Sequence, residues 1–261
     1  MSYYPILKAP GAQGWTTLCN FPPNNWETTR RCDQLVNVTW RSEHGWITKN
    51  LGVLAPGAVR TVTAGDVADV VPVDALALLS LTVTAPQVTS ETLPKLDVLQ
   101  TTVPAWRATL GLSIDDAQTS YQGELEPFPP QGTLLGFGPL LQFGVGVENY
   151  LILLNVENSP VSRTAELEIY DADSLTLRGK FDIRNNEANC APLGGLGFSP
   201  GDLPLLICRG MAVIPLYFSR TTDGAFLSLE HTNPPASLVV HGKRFEAQKM
   251  LKNLWFAKVA P

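Results

Sequence analysis

The stretch Ala165-Glu166-Leu167-Glu168-Ile169-Tyr170-Asp171-Ala172-Asp173-Ser174-Leu175 decides the fold class. Glu166 and Glu168 alternate with Leu167 and Ile169, the two-residue period of a strand with one wet and one buried face. Asp171-Ala172-Asp173-Ser174 is turn chemistry, because short polar side chains bond back to the local backbone. The apolar pattern resumes over residues 175–183, which predicts the returning strand of a hairpin.

The same signatures recur outward from this hairpin. Residues 35–40 are β-branched and bounded by polar turns, and residues 76–84 form a longer run rich in Leu, Val and Thr. Tyr150-Leu151-Ile152-Leu153-Leu154-Asn155-Val156 is almost unbroken in apolar character, as expected of a strand buried on both faces. Residues 211–218, 226–229 and 237–240 complete the expected strands. Proline and glycine punctuate these runs at Phe21-Pro22-Pro23, Ala55-Pro56-Gly57, Phe128-Pro129-Pro130, Ser199-Pro200-Gly201 and Asn233-Pro234-Pro235, at sandwich-like intervals. Long amphipathic helices do not alternate with the strands, which excludes βαβ units.

Short matches in one order suggest an internal repeat. Phe21-Pro22-Pro23 recurs as Phe128-Pro129-Pro130, and Leu35-Val36-Asn37-Val38 as Leu153-Leu154-Asn155-Val156. Ala64-Gly65-Asp66-Val67 recurs as Pro200-Gly201-Asp202-Leu203, followed by an apolar strand at 75–83 in one half and 211–218 in the other. Pro104-Ala105 and Pro235-Ala236 come last. The expected architecture is therefore all-β: two tandem antiparallel β-sandwich domains related by an internal duplication, at residues 1–115 and 116–242. Asp115 and Asp116 mark a polar link between them at 113–119.

Residues 243–261 are expected to form a short helical tail. Ala247, Met250, Leu251, Leu254 and Trp255 recur at helical spacing as one apolar face. Lys243, Arg244, Lys249, Lys252 and Lys258 stand against Glu246, so residues 243–258 carry +4 in a chain of net charge -5. The remainder of the chain is acidic, and the tail has two natural partners: the protein's own body, or another subunit.

Composition narrows the function. Of 261 residues, 44% are hydrophobic and 16% charged, well under the roughly 25% charge of an average soluble domain. Many short strands with tight turns account for that balance, and a helical bundle does not. The net negative charge argues against nucleic acid as a partner, since phosphate binding needs a cationic face. No apolar run reaches membrane-span length, and no signal peptide is evident, so the expected location is cytoplasmic. Cys19, Cys32, Cys190 and Cys208 include no Cys-x-x-Cys pair and are expected as reduced thiols. The sequon Asn37-Val38-Thr39 then carries no meaning.

Three sets of residues are candidates for chemistry. Trp15 and Trp26 flank a turn-rich segment with Asn20, Asn24 and Asn25, where an aromatic platform and amides suit a sugar ring or a protein partner. Their bland alternative is packing, with Trp40 and Trp46 in the core and Trp15 sealing an edge. Glu230, His231 and His241 flank Pro234-Pro235, where a tight turn would bring them together as an acid–base or metal set, with Arg244 available for an anionic group. Asp171 and Asp173 offer oxygens to calcium, although a hairpin turn explains them equally well. The chain lacks the standard nucleophile-elbow, zinc-protease, phosphate-loop and EF-hand motifs, and Gly136-Phe137-Gly138 and Gly144-Val145-Gly146 lack what a dinucleotide site needs.

These features predict a non-enzymatic binding or assembly protein without cofactor or metal. It is expected to be oligomeric, with carbohydrate or protein as ligand and residues 243–258 as a contact for another subunit. An enzyme built on Glu230, His231 and His241 is the alternative, and a shell or virion-type structural subunit a further one.

Overall fold

The computed structural model describes residues 3–20, 32–95, 108–231 and 244–259. The first half supplies β1 (Tyr4–Pro5), β2 (Gln13–Cys19), β3 (Gln34–Ser42), β4 (Gly45–Leu54), β5 (Val59–Thr63), the short α1 (Ala64–Val67), β6 (Leu78–Thr82), β7 (Thr89–Ser90), β8 (Thr109–Ile114) and β9 (Ala117–Gln122). The second supplies β10 (Leu134–Phe137), β11 (Val147–Leu154), β12 (Thr164–Asp171), β13 (Leu177–Arg184), β14 (Asn189–Pro192), β15 (Pro204–Cys208), β16 (Ile214–Thr221), β17 (Leu227–His231) and the helix α2 (Arg244–Val259). The chain is thus mostly β, with a C-terminal helix.

The described residues form four antiparallel sheets. Sheet I runs β1-β6-β3-β4-β7 and sheet II β5-β2-β8-β9; sheet III runs β14-β11-β16-β17 and sheet IV β10-β15-β12-β13. With the two-residue β7 left out and strands counted within each half, sheets I and IV both read first–sixth–third–fourth. Sheets II and III both read fifth–second–seventh–eighth.

This equivalence revises the repeat read from sequence. Gly65-Asp66 and Gly201-Asp202 do fall at the same place, between the fifth and sixth strands of their halves. Leu35 to Val38, however, lies within β3, a third strand, whereas Leu153 and Leu154 end β11, a second strand. The two segments therefore do not occupy equivalent strands. Phe21-Pro22-Pro23, Pro104-Ala105 and Pro235-Ala236, and the strand expected at 237–240, lie outside the described residues.

The expected hairpin at 165–183 is β12 and β13, paired from Thr164↔Arg184 to Tyr170↔Leu177. Asp171 holds the turn by accepting from the Ser174 amide at 2.7 Å and the Ser174 hydroxyl at 2.8 Å. Residues 113–119, expected as a polar link, are instead the end of a hairpin, with Ile114 paired to Ala117 and Asp115 at φ 49°. An Asp tolerates this left-handed position because its short side chain bonds locally. β9 thereby stays in the sheet of the first half.

Sheet III is buried on both faces, which its sequence requires. Leu151 and Leu153 of β11 join Leu167 and Ile169 of β12 and Leu206 of β15 in one core. Ile152 and Leu154, pointing the other way, join Leu216 and Phe218 of β16 and the residues of sheets I and II in a second core. Trp40 and Trp46 lie in this second core, at 7% and 0% exposure. The Trp46 indole donates to the Asn158 carbonyl at 2.9 Å, and Arg41 donates to the Pro160 carbonyl at 2.7 Å, so the halves meet through polar as well as apolar contacts.

The outer face of sheet IV carries α2. Leu135, Tyr170, Leu205 and Ile207 form a third cluster, with Trp255, Phe256 and Val259 packed on it. Phe137 meets Trp255 edge-on at 5.2 Å, and Lys252 donates to the Thr133 carbonyl at 3.0 Å. The apolar face expected from the sequence is therefore split. Leu251 and Trp255 are half-buried, whereas Met250 and Leu254 are 58% and 60% exposed. Ala247 lies outside the described side chains.

Because the second core draws residues from both halves, Phe218→Ala is expected to lower the stability of the whole chain by about 3–5 kcal/mol. Urea unfolding checks this. Tryptophan fluorescence, which reports mainly on the first half, and far-UV circular dichroism should shift together to the same lower midpoint.

Candidate functional site

The outward face of sheet II is the surface that stands out chemically. Along β2, Gly14, Thr16 and Leu18 turn inward and are buried, leaving Gln13, Trp15, Thr17 and Cys19 outward. Register places Thr63 and Thr61 of β5 beside Trp15 and Thr17, and Gly111 and Ser113 of β8 beside Trp15 and Gln13. Gln118, Ser120 and Gln122 of β9 continue the face past Ser113, Gly111 and Thr109. No outward position on these strands bears a charge.

Trp15 sits at the middle of this face because Gly111 leaves it room. A Cβ on Gly111 would lie 2.2 Å from Trp15 Cζ2 and 2.3 Å from Cε2, so the indole ring occupies the space directly over that glycine. The ring is half-buried, and its N–H is shielded and meets no acceptor among the described residues. Hydroxyls and amides surround it: Thr17 and Thr61 share a hydrogen bond at 2.8 Å, and Gln13, Ser120 and Gln122 are exposed. An aromatic surface ringed by uncharged donors and acceptors matches a molecule whose faces are C–H and whose edges are hydroxyls.

Asn20, proposed with Trp15, does not share this face. Asn20 is 5% exposed and spends its amide internally. It donates to Leu54 O at 2.7 Å and Cys32 O at 3.0 Å and accepts from Gln34 at 2.8 Å. Its role is to hold the chain where β2 ends. Asn24, Asn25 and Trp26 lie outside the described residues.

Glu230 and His231 are adjacent on β17 and therefore project to opposite faces of sheet III. Their cross-strand neighbours show it: Glu230 pairs with Tyr217, which joins the core between sheets III and IV, and His231 with Leu216, which joins the other. His231 packs against the Tyr121 ring at 5.8 Å. His241 and its half of the proposed cluster lie outside the described residues. Among the described residues no group of His, Cys, Asp and Glu is arranged to hold a metal ion. Asp171, weighed as a calcium ligand, is 4% exposed, and its contacts with Ser174 and Arg178 hold its carboxyl below the usual range.

All four cysteines are free thiols. Burial pushes Cys190 up to about 11, and Cys19 and Cys208 are raised for the same reason. A nucleophilic thiol needs the opposite shift. Sequence reasoning found Trp15 but missed the sheet around it: it overlooked the alternation of Leu110, Leu112 and Ile114 with Thr109, Gly111 and Ser113 in β8, and β9 carries no strong apolar pattern. The signal was the uncharged run Gln118-Thr119-Ser120-Tyr121-Gln122.

No family model, curated protein or solved structure matches the chain significantly. No helix among the described residues is long and apolar enough to cross a membrane.

Cys190 offers a direct check on this electrostatic picture. Its alkylation by iodoacetamide, followed by mass spectrometry, should rise about tenfold per pH unit from pH 7 towards its raised value. At pH 8 the thiolate fraction of Cys190 is about a thousandth, well below that of an unshifted cysteine.

Proposed function

We propose that the chain is a non-enzymatic binding protein that presents the outer face of sheet II to a neutral glycan, with Trp15 as the stacking platform. The observation that carries this reading is the Trp15 ring seated over Gly111 in a sheet face without charge. A protein of 16% charged residues still places its charges elsewhere: Glu166, Glu168 and Lys180 form ion pairs on sheet IV. The scaffold in this reading is a pair of sandwich units on one duplicated plan. The strand order found in both halves supports it, since each half repeats first–sixth–third–fourth in one sheet and fifth–second–seventh–eighth in the other. Sandwich folds host many unrelated functions, so the fold does not choose between a binding and a shell role. Glu230 and His231 face apart, which gives the enzyme alternative no observation in its favour among the described residues.

Titration of the protein with neutral oligosaccharides, read by tryptophan fluorescence and calorimetry, tests the glycan reading. Trp15→Ala should weaken binding at least tenfold, about 1.4 kcal/mol, while Ser120→Arg, an exposed substitution, should weaken it by placing charge on the face. Binding that is indifferent to both variants, or absent across neutral saccharides, would sink it.

One observation favours a second reading, assembly through the tail. Met250 and Leu254 lie one turn apart and stay exposed after α2 has docked on sheet IV. Such a pair fits a small contact with another subunit, including a shell of identical copies. Light scattering on Met250→Gln/Leu254→Gln checks it: a wild-type oligomer that becomes a folded monomer supports the contact, and an unchanged mass removes it.

A further inference from the structure

A second feature of the first half lies away from the Trp15 face. The chain between β1 and β2 folds back on itself at Gly11, with Ala9 bridged to Ala12. Opposite it stands α1, fixed by a capping box in which Thr63 and Asp66 exchange hydrogen bonds. Between them lies a cavity of about 300 Å³, near the lower end of the about 300–1,000 Å³ range of small-molecule sites.

The cavity is open because its walls are small. Ala9, Ala12, Gly14, Ala64, Ala68 and Ala77 line it, and Gly14 admits no side chain, since a Cβ there would lie 1.9 Å from the Leu7 carbonyl oxygen. Ile6, Leu7, Val67 and Val71 make the buried walls, and Val73 sits at the rim with 85% exposure. An apolar cavity of this kind gives water few partners, so an apolar guest replaces poorly bound solvent.

Lys8 is the single charged residue in the described lining. Its ammonium donates to the Val73 carbonyl, to Ala75 O at 2.8 Å and, at the limit of a hydrogen bond, to Pro72 O at 3.5 Å. These carbonyls fix the head group at one side of the cavity and leave its third N–H poorly used. Burial lowers the Lys8 ammonium from its ordinary value, and Asp74, which does not line the cavity, offsets this only in part. The result is a fixed cation beside an apolar chamber.

We propose that this cavity binds a small anionic amphiphile, a short-chain carboxylate whose hydrocarbon tail fills the chamber and whose head accepts from the Lys8 ammonium. No bond is made or broken. The site is separate from the Trp15 face, and the two stand or fall independently.

Octanoate and octanol, matched in chain length, are the probes, titrated into the full chain by calorimetry. Octanoate is expected to bind the wild type at least tenfold more tightly than octanol. Lys8→Met should remove that preference, leaving the two within about twofold. Ala68→Leu, at an exposed lining position that tolerates a larger side chain, should weaken octanoate at least tenfold with an unchanged urea midpoint. Equal binding of octanoate and octanol by the wild type, no binding of octanoate, or octanoate binding unaffected by Ala68→Leu overturns the proposal. If Lys8→Met does not fold, the wild-type comparison and Ala68→Leu decide the matter.

Discussion

Sheet III is the constraint on which the rest of the structure depends. Successive side chains of a strand must point to opposite faces, and β11 is apolar at each position from Leu151 to Leu154. Both faces therefore have to be covered. Sheet IV covers one, and the first half of the chain covers the other. Each large side chain so buried stabilises by about 1.5–3 kcal/mol, and the core on the far side of sheet III is shared with the first half. A one-residue slip of β11 against β16 would exchange its two faces and move Leu151 and Leu153 out of the core they share with β12 and β15.

Burying a sheet twice forces the connecting loops inward, and their polar groups must then be satisfied. Glu157, 1% exposed, is held by Arg163 and by the Asn185 amide at 3.2 Å, and its own backbone N–H donates to Asn186 at 2.7 Å. This network ties the loop after β11 to the loop after β13. It presents the Asn158 carbonyl to Trp46 and to the Leu93 backbone N–H, the latter at 2.8 Å. A buried ion pair of this kind contributes more to fixing one loop conformation than to net stability. Here the fixed conformation joins the halves.

The outer surfaces divide the remaining work. Sheet IV has apolar residues at Leu135, Leu205 and Ile207 facing outward, and α2 covers them with Trp255, Phe256 and Val259. Arg209 bridges the two elements, pairing with Glu168 at 2.5 Å and lying over the Phe256 ring at 5.3 Å. Sheet II needs no cover, because its outward side chains are Thr, Ser and Gln apart from Trp15, Cys19 and Val59. That contrast leaves sheet II open and makes α2 a cover for sheet IV.

The sequence by itself determined the strand class, the hairpin at Asp171, the doubly buried β11, the core positions of Trp40 and Trp46, and the C-terminal helix. Each is written in local spacing, a period of 2 or 3.6, or in turn residues. It also marked Trp15, because a tryptophan in polar company is unusual anywhere. Tertiary structure alone decided what surrounds Trp15: Gly111, Thr63 and Ser120 are distant in sequence and come to its face only through strand pairing. The same holds for Asn20, whose amide is consumed by Leu54, Cys32 and Gln34, and for Glu230 and His231, which sequence placed together and strand geometry sets apart. Which side of α2 docks was likewise undecided by spacing, since its apolar residues outnumber one face and the shape of sheet IV selects among them. Local pattern fixes which residues must be hidden; only the packed chain fixes from what, and which polar groups remain for a ligand.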